Sequence, residues 1–301
     1  MKSMAGVKNI ALDKHADSGK QWRRKARLIP LADVLYYAAL LIVTGIGLCA
    51  LVPQWIAPYD PTEMNADILL QPPGASHLFG TDYFGRDVFS VMVYGSRDSL
   101  FIGIGSVLLG ATVGTIIGSL SGYAGGWIDT ILMRLTDVLM TIPGLLLSLA
   151  IAAALGPSLF NIVLAVSVSI VPKFARVVRS QIMSVRNRPF ITASHSIGAG
   201  NLHIFMKHVI PHTVSPLLVM ATISIGSSIL VGSSLSFLGL GVLKEVPDWG
   251  TLLSQGRGYL TVAWWNATFP GLAITLFVLA VNLLGDRWRD ILDPKSAVYS
   301  R

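Results

Sequence analysis

Six long apolar runs set this chain apart from any soluble fold. They are Val34–Val52, Leu100–Leu120, Ile131–Leu155, Leu159–Val178, Val214–Phe237 and Phe269–Leu284. A helix rises about 1.5 Å per residue, so roughly 20 residues cross the ~30 Å hydrocarbon layer of a bilayer. Lipid offers the backbone no hydrogen bonds, and only helices or closed barrels satisfy every N–H and C=O there. A barrel strand would alternate apolar and polar residues, whereas these runs are apolar on every face. The composition agrees: 52% of residues are hydrophobic and 13% charged, against about a quarter charged in soluble domains. The expected fold class is an all-α integral membrane protein with six transmembrane helices.

The first run begins only after a long charged stretch. It is also too long, and lacks the small-residue cleavage site, for a removable signal peptide. Basic residues then set the topology. The N-terminal stretch carries Lys2, Lys8, Lys14, Lys20, Arg23, Arg24, Lys25 and Arg27. The segment joining the fourth and fifth runs carries Lys173, Arg176, Arg179, Arg186, Arg188 and Lys207 with no acid, and the C-terminal tail adds Arg287, Arg289, Lys295 and Arg301. Six crossings put all three segments on one side, which the positive-inside rule makes the cytoplasm. The opposite loops hold only Arg86, Arg97, Lys244 and Arg257. Both termini are therefore expected to be cytoplasmic, with a basic tail over 1–33 and a membrane body over 34–301. Within the body lie an external cap over 53–99 and an internal loop over 179–212. The net charge of +7 then faces anionic lipid headgroups rather than nucleic acid. Cys49, the one cysteine, has no partner for an intrachain disulfide.

Gly110, Gly114 and Gly118 put a small residue at every fourth position of the second run, a pattern that lets another helix approach closely. Pro143 and Pro172 lack a backbone donor and are expected to kink or end their helices. Asp129, Arg134 and Asp137 fall near the inner end of the third run, where Arg134 and Asp137, three apart, could pair on one face. Either a structural ion pair or a proton relay would use such residues. The cap holds Asp60, Glu63, Asp67, Asp82, Asp87 and Asp98 without the ligand spacing of a calcium loop. Phe84, Phe89 and Tyr94 are read as resting at the membrane interface.

The internal loop reads as two short helices about a glycine turn. Arg188–Ile197 opens with Pro189 at a favourable first-turn position, Gly198-Ala199-Gly200 breaks it, and Leu202–Val209 resumes behind Asn201 as cap, with Pro211 closing the segment. Phe190, Ile191, Ile197, Ile204 and Phe205 are more apolar than a solvated loop requires. Two readings stand side by side: a docking element for a soluble partner, or a helix pair resting on headgroups. His195, His203, His208 and His212 crowd this loop, but Pro211 interrupts the helical spacing of the last two and no cysteine joins them, so no metal site is expected. The chain also lacks a Gly-x4-Gly-Lys-Ser/Thr phosphate cradle, a His-Glu-x-x-His pair and a Gly-x-Ser-x-Gly elbow. Charge is nearly absent from the span centres. Uphill transport by such a chain would need energy from another polypeptide, and catalysis by it alone is not expected.

The internal loop resembles that of the inner-membrane permeases of ABC importers, whose motif runs Glu-Ala-Ala, then Gly, then a closing Pro. Ala193, Gly198 and Pro211 fall in those places, while Thr192 and Ser194 replace the usual Glu and second Ala; Lys207 and His208 occupy the basic-His pair before the proline. From Ala57 onward the chain is similar to the second permease of dipeptide, oligopeptide and nickel importers. The shared stretches include Ala57-Pro58-Tyr59-Asp60-Pro61, Gly80-Thr81-Asp82, Gly85-Arg86-Asp87-Val88, Gly122-Tyr123-Ala124-Gly125-Gly126, Leu235-Ser236-Phe237-Leu238-Gly239-Leu240-Gly241, Trp249-Gly250 and Leu292-Asp293-Pro294. Lys244-Glu245 stands where a proline pair is common.

The resemblance implies the type I importer architecture in a bacterial inner membrane. It also implies pairing with a second, homologous permease subunit, two cytoplasmic ATPase subunits and an extracytoplasmic solute-binding protein. ATP and Mg would sit on the ATPase chains, with no cofactor on this one. Phe190, Thr192, Ala193, Ser194, Gly198, Lys207, His208 and Pro211 would form the coupling loop that seats in the ATPase. Peptide is the first expectation for substrate; glutathione, nickel and metal chelates share the pattern, and a stand-alone channel is the rival from a different class.

Overall fold

A computed structural model describes residues 31–242 and 244–292. The basic residues from Lys2 to Arg27, together with Lys295, Arg301 and the Asp293-Pro294 end motif, lie outside the described residues. Among the described residues eleven α-helices follow one another: α1 (Leu31–Leu51), α2 (Pro53–Ile56), α3 (Val88–Ala124), α4 (Gly126–Thr141), α5 (Gly144–Leu155), α6 (Leu159–Arg186), α7 (Pro189–Ser196), α8 (Asn201–Ile204), α9 (Ile210–Leu235), α10 (Trp249–Arg257) and α11 (Trp265–Leu292). Two π-helical turns, Phe205–Val209 and Ser236–Leu240, bracket α9. Among the described residues there is no strand beyond an isolated bridge between Thr81 and Asp87.

Among the described residues, five stretches are long and apolar enough to cross a membrane: Asp33–Leu51, Val88–Ala124, Leu159–Arg186, Leu202–Leu240 and Trp265–Asp290. The expected third span, Ile131–Leu155, is instead the broken pair α4 and α5, bent by 91°. Its cause is local. Pro143 has no N–H to continue the ladder and drives the residue before it out of the helical region, and Ile142 is extended at φ −91°, ψ 128°. Pro172 behaves differently: it lies buried inside α6 without ending it.

The second span is longer than the apolar run. Asp87 caps α3, its carboxylate accepting from the Ser90 backbone N–H and hydroxyl at 2.8 Å each, so residues 88–99 belong to the helix and the cap is only 53–87. Likewise 179–186 belong to α6 rather than to the internal loop. Pro211 does not close the loop. The chain runs from α8 through the first π turn straight into α9, so Pro211 lies just after that turn inside one continuous helix, Leu202–Leu240, to whose ladder it gives no N–H.

The spine of the bundle is α3 against α6. The stripe Gly110, Gly114 and Gly118 lies on α6 so closely that added Cβ atoms would stand 3.0 Å from the Ser167 carbonyl oxygen, 2.8 Å from that of Val171 and 2.8 Å from Val178 Cβ. This is the close helix approach that the spacing predicts, and Phe174, Val178 and Ile182 are fully buried along it. Peripheral α1 packs on α3 and α11. Arg97 donates to the carbonyls of Ala50 and Leu51 at 2.6 and 3.2 Å, filling acceptors that the end of α1 leaves open. At the far end of α1, Asp33 pairs with Arg287 of α11 at 3.2 Å. The bundle thus has a cap end and a knob end.

Candidate functional site

The knob is α7, α8 and the first π turn. Ile191, Ile204 and Val209 are buried against Val178, Ile182 and Val185 at the end of α6, so the apolar excess of the loop is used partly to seat it on the bundle. The remainder points outward. Ile197 is 86% and Leu202 74% exposed, with Met206 and Phe190 also exposed. Such a projecting apolar surface is costly in water unless something covers it.

All eight residues singled out in this loop fall on the knob or its root. Phe190, Thr192, Ala193, Gly198, Lys207 and Pro211 are exposed, and Ser194 and His208 partly so. Gly198 sits at φ +85°, a left-handed conformation natural to a residue just past a helix end. The Ala199 N–H reaches back to the Ser194 carbonyl at 3.1 Å. The Ser194 hydroxyl donates to the Phe190 carbonyl at 2.8 Å, and Ser196 to that of Thr192 at 3.1 Å. Short polar side chains therefore bond back along α7 and leave its outer face smooth.

His203, His208 and His212 make ring contacts within the knob. His212 stacks on Phe190 at 5.8 Å and its Nδ1 donates to the His208 carbonyl at 2.8 Å; the His203 and His208 rings stand edge to face at 6.3 Å. Among the described residues no three His, Cys, Asp or Glu side chains are grouped to hold a metal.

The α4 acids pair differently from the sequence expectation. Asp137 binds Arg176 at 2.7 Å, and Asp129 binds Arg179 at 2.6 Å while also accepting from Ser121. Both partners lie on α6, so these pairs staple the bent α4 to the spine; the Arg134–Asp137 pair within one helix does not form.

At the cap end the polar groups are buried. Arg86, 3% exposed, donates to the Asp82 carboxylate at 2.7 Å and to the Glu245 carbonyl at 2.6 Å, tying cap to the loop before α10. Asp87 accepts from His77 at 3.0 Å and Asp98 from Lys244 at 2.8 Å. The cap acids are thus divided among separate partners. Thr62, bonded to Asp60, holds that carboxyl below its ordinary range. Asp248, which sequence reasoning did not single out, caps α10 by accepting from the Gly250 N–H at 3.1 Å and the Thr251 hydroxyl at 2.5 Å. Burial pushes its carboxyl above the usual carboxylate range; its signal in the chain is an Asp directly before Trp249-Gly250. Phe89 meets Phe79 edge to face at 5.1 Å and is partly buried, as is Tyr94, while Phe84 is exposed. Trp249 and Trp265 are buried with their indole N–H groups on the Met92 and Thr81 carbonyls at 2.9 and 3.0 Å.

Comparison with known proteins adds what geometry alone leaves open. Residues 114–298 match the family described as the binding-protein-dependent transport system inner membrane component. A di/tripeptide transport system permease protein of Pseudomonas aeruginosa is 44% identical over 85% of this chain and 86% of its own length. A probable D,D-dipeptide transport system permease protein of Escherichia coli is 40% identical over 87% and 88%. A glutathione transport system permease protein of Escherichia coli is 43% identical over 91% and 89%. A crystal structure of an amino acid ABC transporter with histidines, 15% identical, shares the fold with a TM-score of 0.51 over 70% of this chain and 93% of that one.

Proposed function

This chain belongs to the inner membrane components of binding-protein-dependent transport systems, and on that footing we propose that it is the permease subunit of an ATP-driven peptide importer. It forms half of the passage with a second, homologous permease. Two cytoplasmic ATPase subunits supply the energy and a separate solute-binding protein delivers the substrate. ATP and Mg belong to the ATPase chains; this chain itself performs no catalysis. Its knob end, with both termini, faces the cytoplasm of a bacterial inner membrane.

The observation that carries the reading is the knob: a compact helix–turn–helix anchored by Ile191, Ile204 and Val209 and presenting Ile197 and Leu202 outward. Peptide as substrate draws its support from the relatives, whose names specify di- and tripeptides, D,D-dipeptides and glutathione. All three are peptides.

In this mechanism ATP closes the ATPase pair, the knobs move with it, and the bundle alternates between two openings. Gly198→Glu puts a charged side chain at a left-handed turn on the docking face. The expected outcome in the reconstituted transporter is normal membrane insertion with loss of substrate-stimulated ATP hydrolysis. Unchanged stimulated hydrolysis would refute the docking role.

A further inference from the structure

Beneath the cap, four segments meet around a small void. Tyr83 comes from the cap, Val91 from α3, Leu252 and Gln255 from α10, and Asn266 from α11. The void measures about 10 Å³, and a single water needs roughly 10–15 Å³ by the same measure. Asn266 is 5% exposed. Among the described residues, neither the nitrogen nor the oxygen of its side-chain amide has a hydrogen-bond partner, and the buried amide oxygen of Gln255 also has none. Buried polar groups are nearly always paired, with protein or with ordered water. Here three unpaired atoms belong to two residues that line one void.

Among the described residues, no other group of the lining is bonded to these three atoms. Val88, Val91 and Leu252 are apolar, and the Asp82 carboxylate already accepts from the backbone N–H groups of Phe84 and Arg86 and from the Arg86 guanidinium. Nor can α10 and α11 close up, because a Cβ on Gly256 would stand 2.5 Å from the Asn266 carbonyl carbon; the two backbones already touch.

We propose that this void is a binding site for one ordered water molecule, which accepts a hydrogen bond from the Asn266 amide nitrogen and donates one to the Gln255 amide oxygen. The water joins α10 to α11 directly under the cap, and the stacked rings of Tyr83 and Tyr259, 5.1 Å apart, lie beside it. It is a structural ligand of the cap end.

Hydroxyl-radical footprinting by X-ray pulse tests the site in the intact transporter, because a bound water generates radicals where bulk solvent does not reach. Leu252, 7% exposed, lines the void. It is expected to oxidise several-fold faster in the native complex than in the Asn266→Leu variant. Should that variant fail to assemble, a density map of the native complex resolved well enough to show ordered water is expected to place a peak within hydrogen-bond reach of both amides. Equal oxidation of Leu252 in the native complex and the variant, or a map with the amides bonded directly to each other, would overturn the proposal.

Discussion

The two ends of this bundle use glycine for opposite purposes. At the cap end Gly250 is pressed against Ser233 of α9, where an added Cβ would lie 2.7 Å from the Ser233 Cα, and Gly95 meets the Pro247 carbonyl just as tightly. At the knob end Gly198 and Gly200 would meet nothing within 4 Å. The first pair permits contact between backbones; the second permits a turn. Polar groups divide the same way. Arg86, Asp82, Asp87 and Asp248 are buried at the cap end, whereas the knob exposes Lys207, Thr192 and a patch of aliphatic carbon. One end is consolidated as part of the molecule, and the other is finished by something outside it.

The comparison can be broken most sharply at Arg86. Arg86→Ala leaves the buried Asp82 carboxylate without its counter-charge, a loss of about 3–5 kcal/mol, read as a lowered unfolding midpoint of the purified protein in detergent. Adding Asp82→Asn is expected to recover part of that loss. Next in size is Gly250→Ala. Its Cβ has only backbone to push against, and overpacking of this kind costs about 1–3 kcal/mol, so the same assay should show a clear drop, while Gly200→Ala should not.

Gly198→Ala sharpens the contrast from the other side. The new side chain has room but occupies φ +85°, which costs about 1 kcal/mol. The expected signature is faster proteolysis at the knob with little change in the global midpoint. Smallest is Lys244→Ala, which breaks an exposed ion pair with Asp98 and should change stability by less than about 1 kcal/mol. A large effect there would show that the brace extends to the surface.

Local rules made much of this legible. Five of the six apolar runs located the long helices, Pro143 marked the break in the other, and the glycine stripe at 110, 114 and 118 foretold the α3–α6 contact. Asp87 ahead of Val88 was a readable helix start, but the polar residues Arg97 and Asp98 obscured it because they lie beyond the apolar stretch. What stayed hidden depends on which segments meet in space. Arg179 is 50 residues from Asp129, and Arg86 is 159 from Glu245; no spacing rule links them. Asp248 looked like an ordinary loop acid until α9, α10 and the preceding loop enclosed it.

The π turn ahead of α9 has a consequence for how this segment tolerates change in length. It carries one residue more than α-helical winding needs, and each residue of helix advances the side chains by about 100°. Removing one residue from Phe205–Val209 would rewind that turn as ordinary helix and leave the azimuth of everything from Ile210 onward unchanged. The same excision at Gly226 would swing half of the helix away from its neighbours. Insertions and deletions in related chains should therefore gather at this joint.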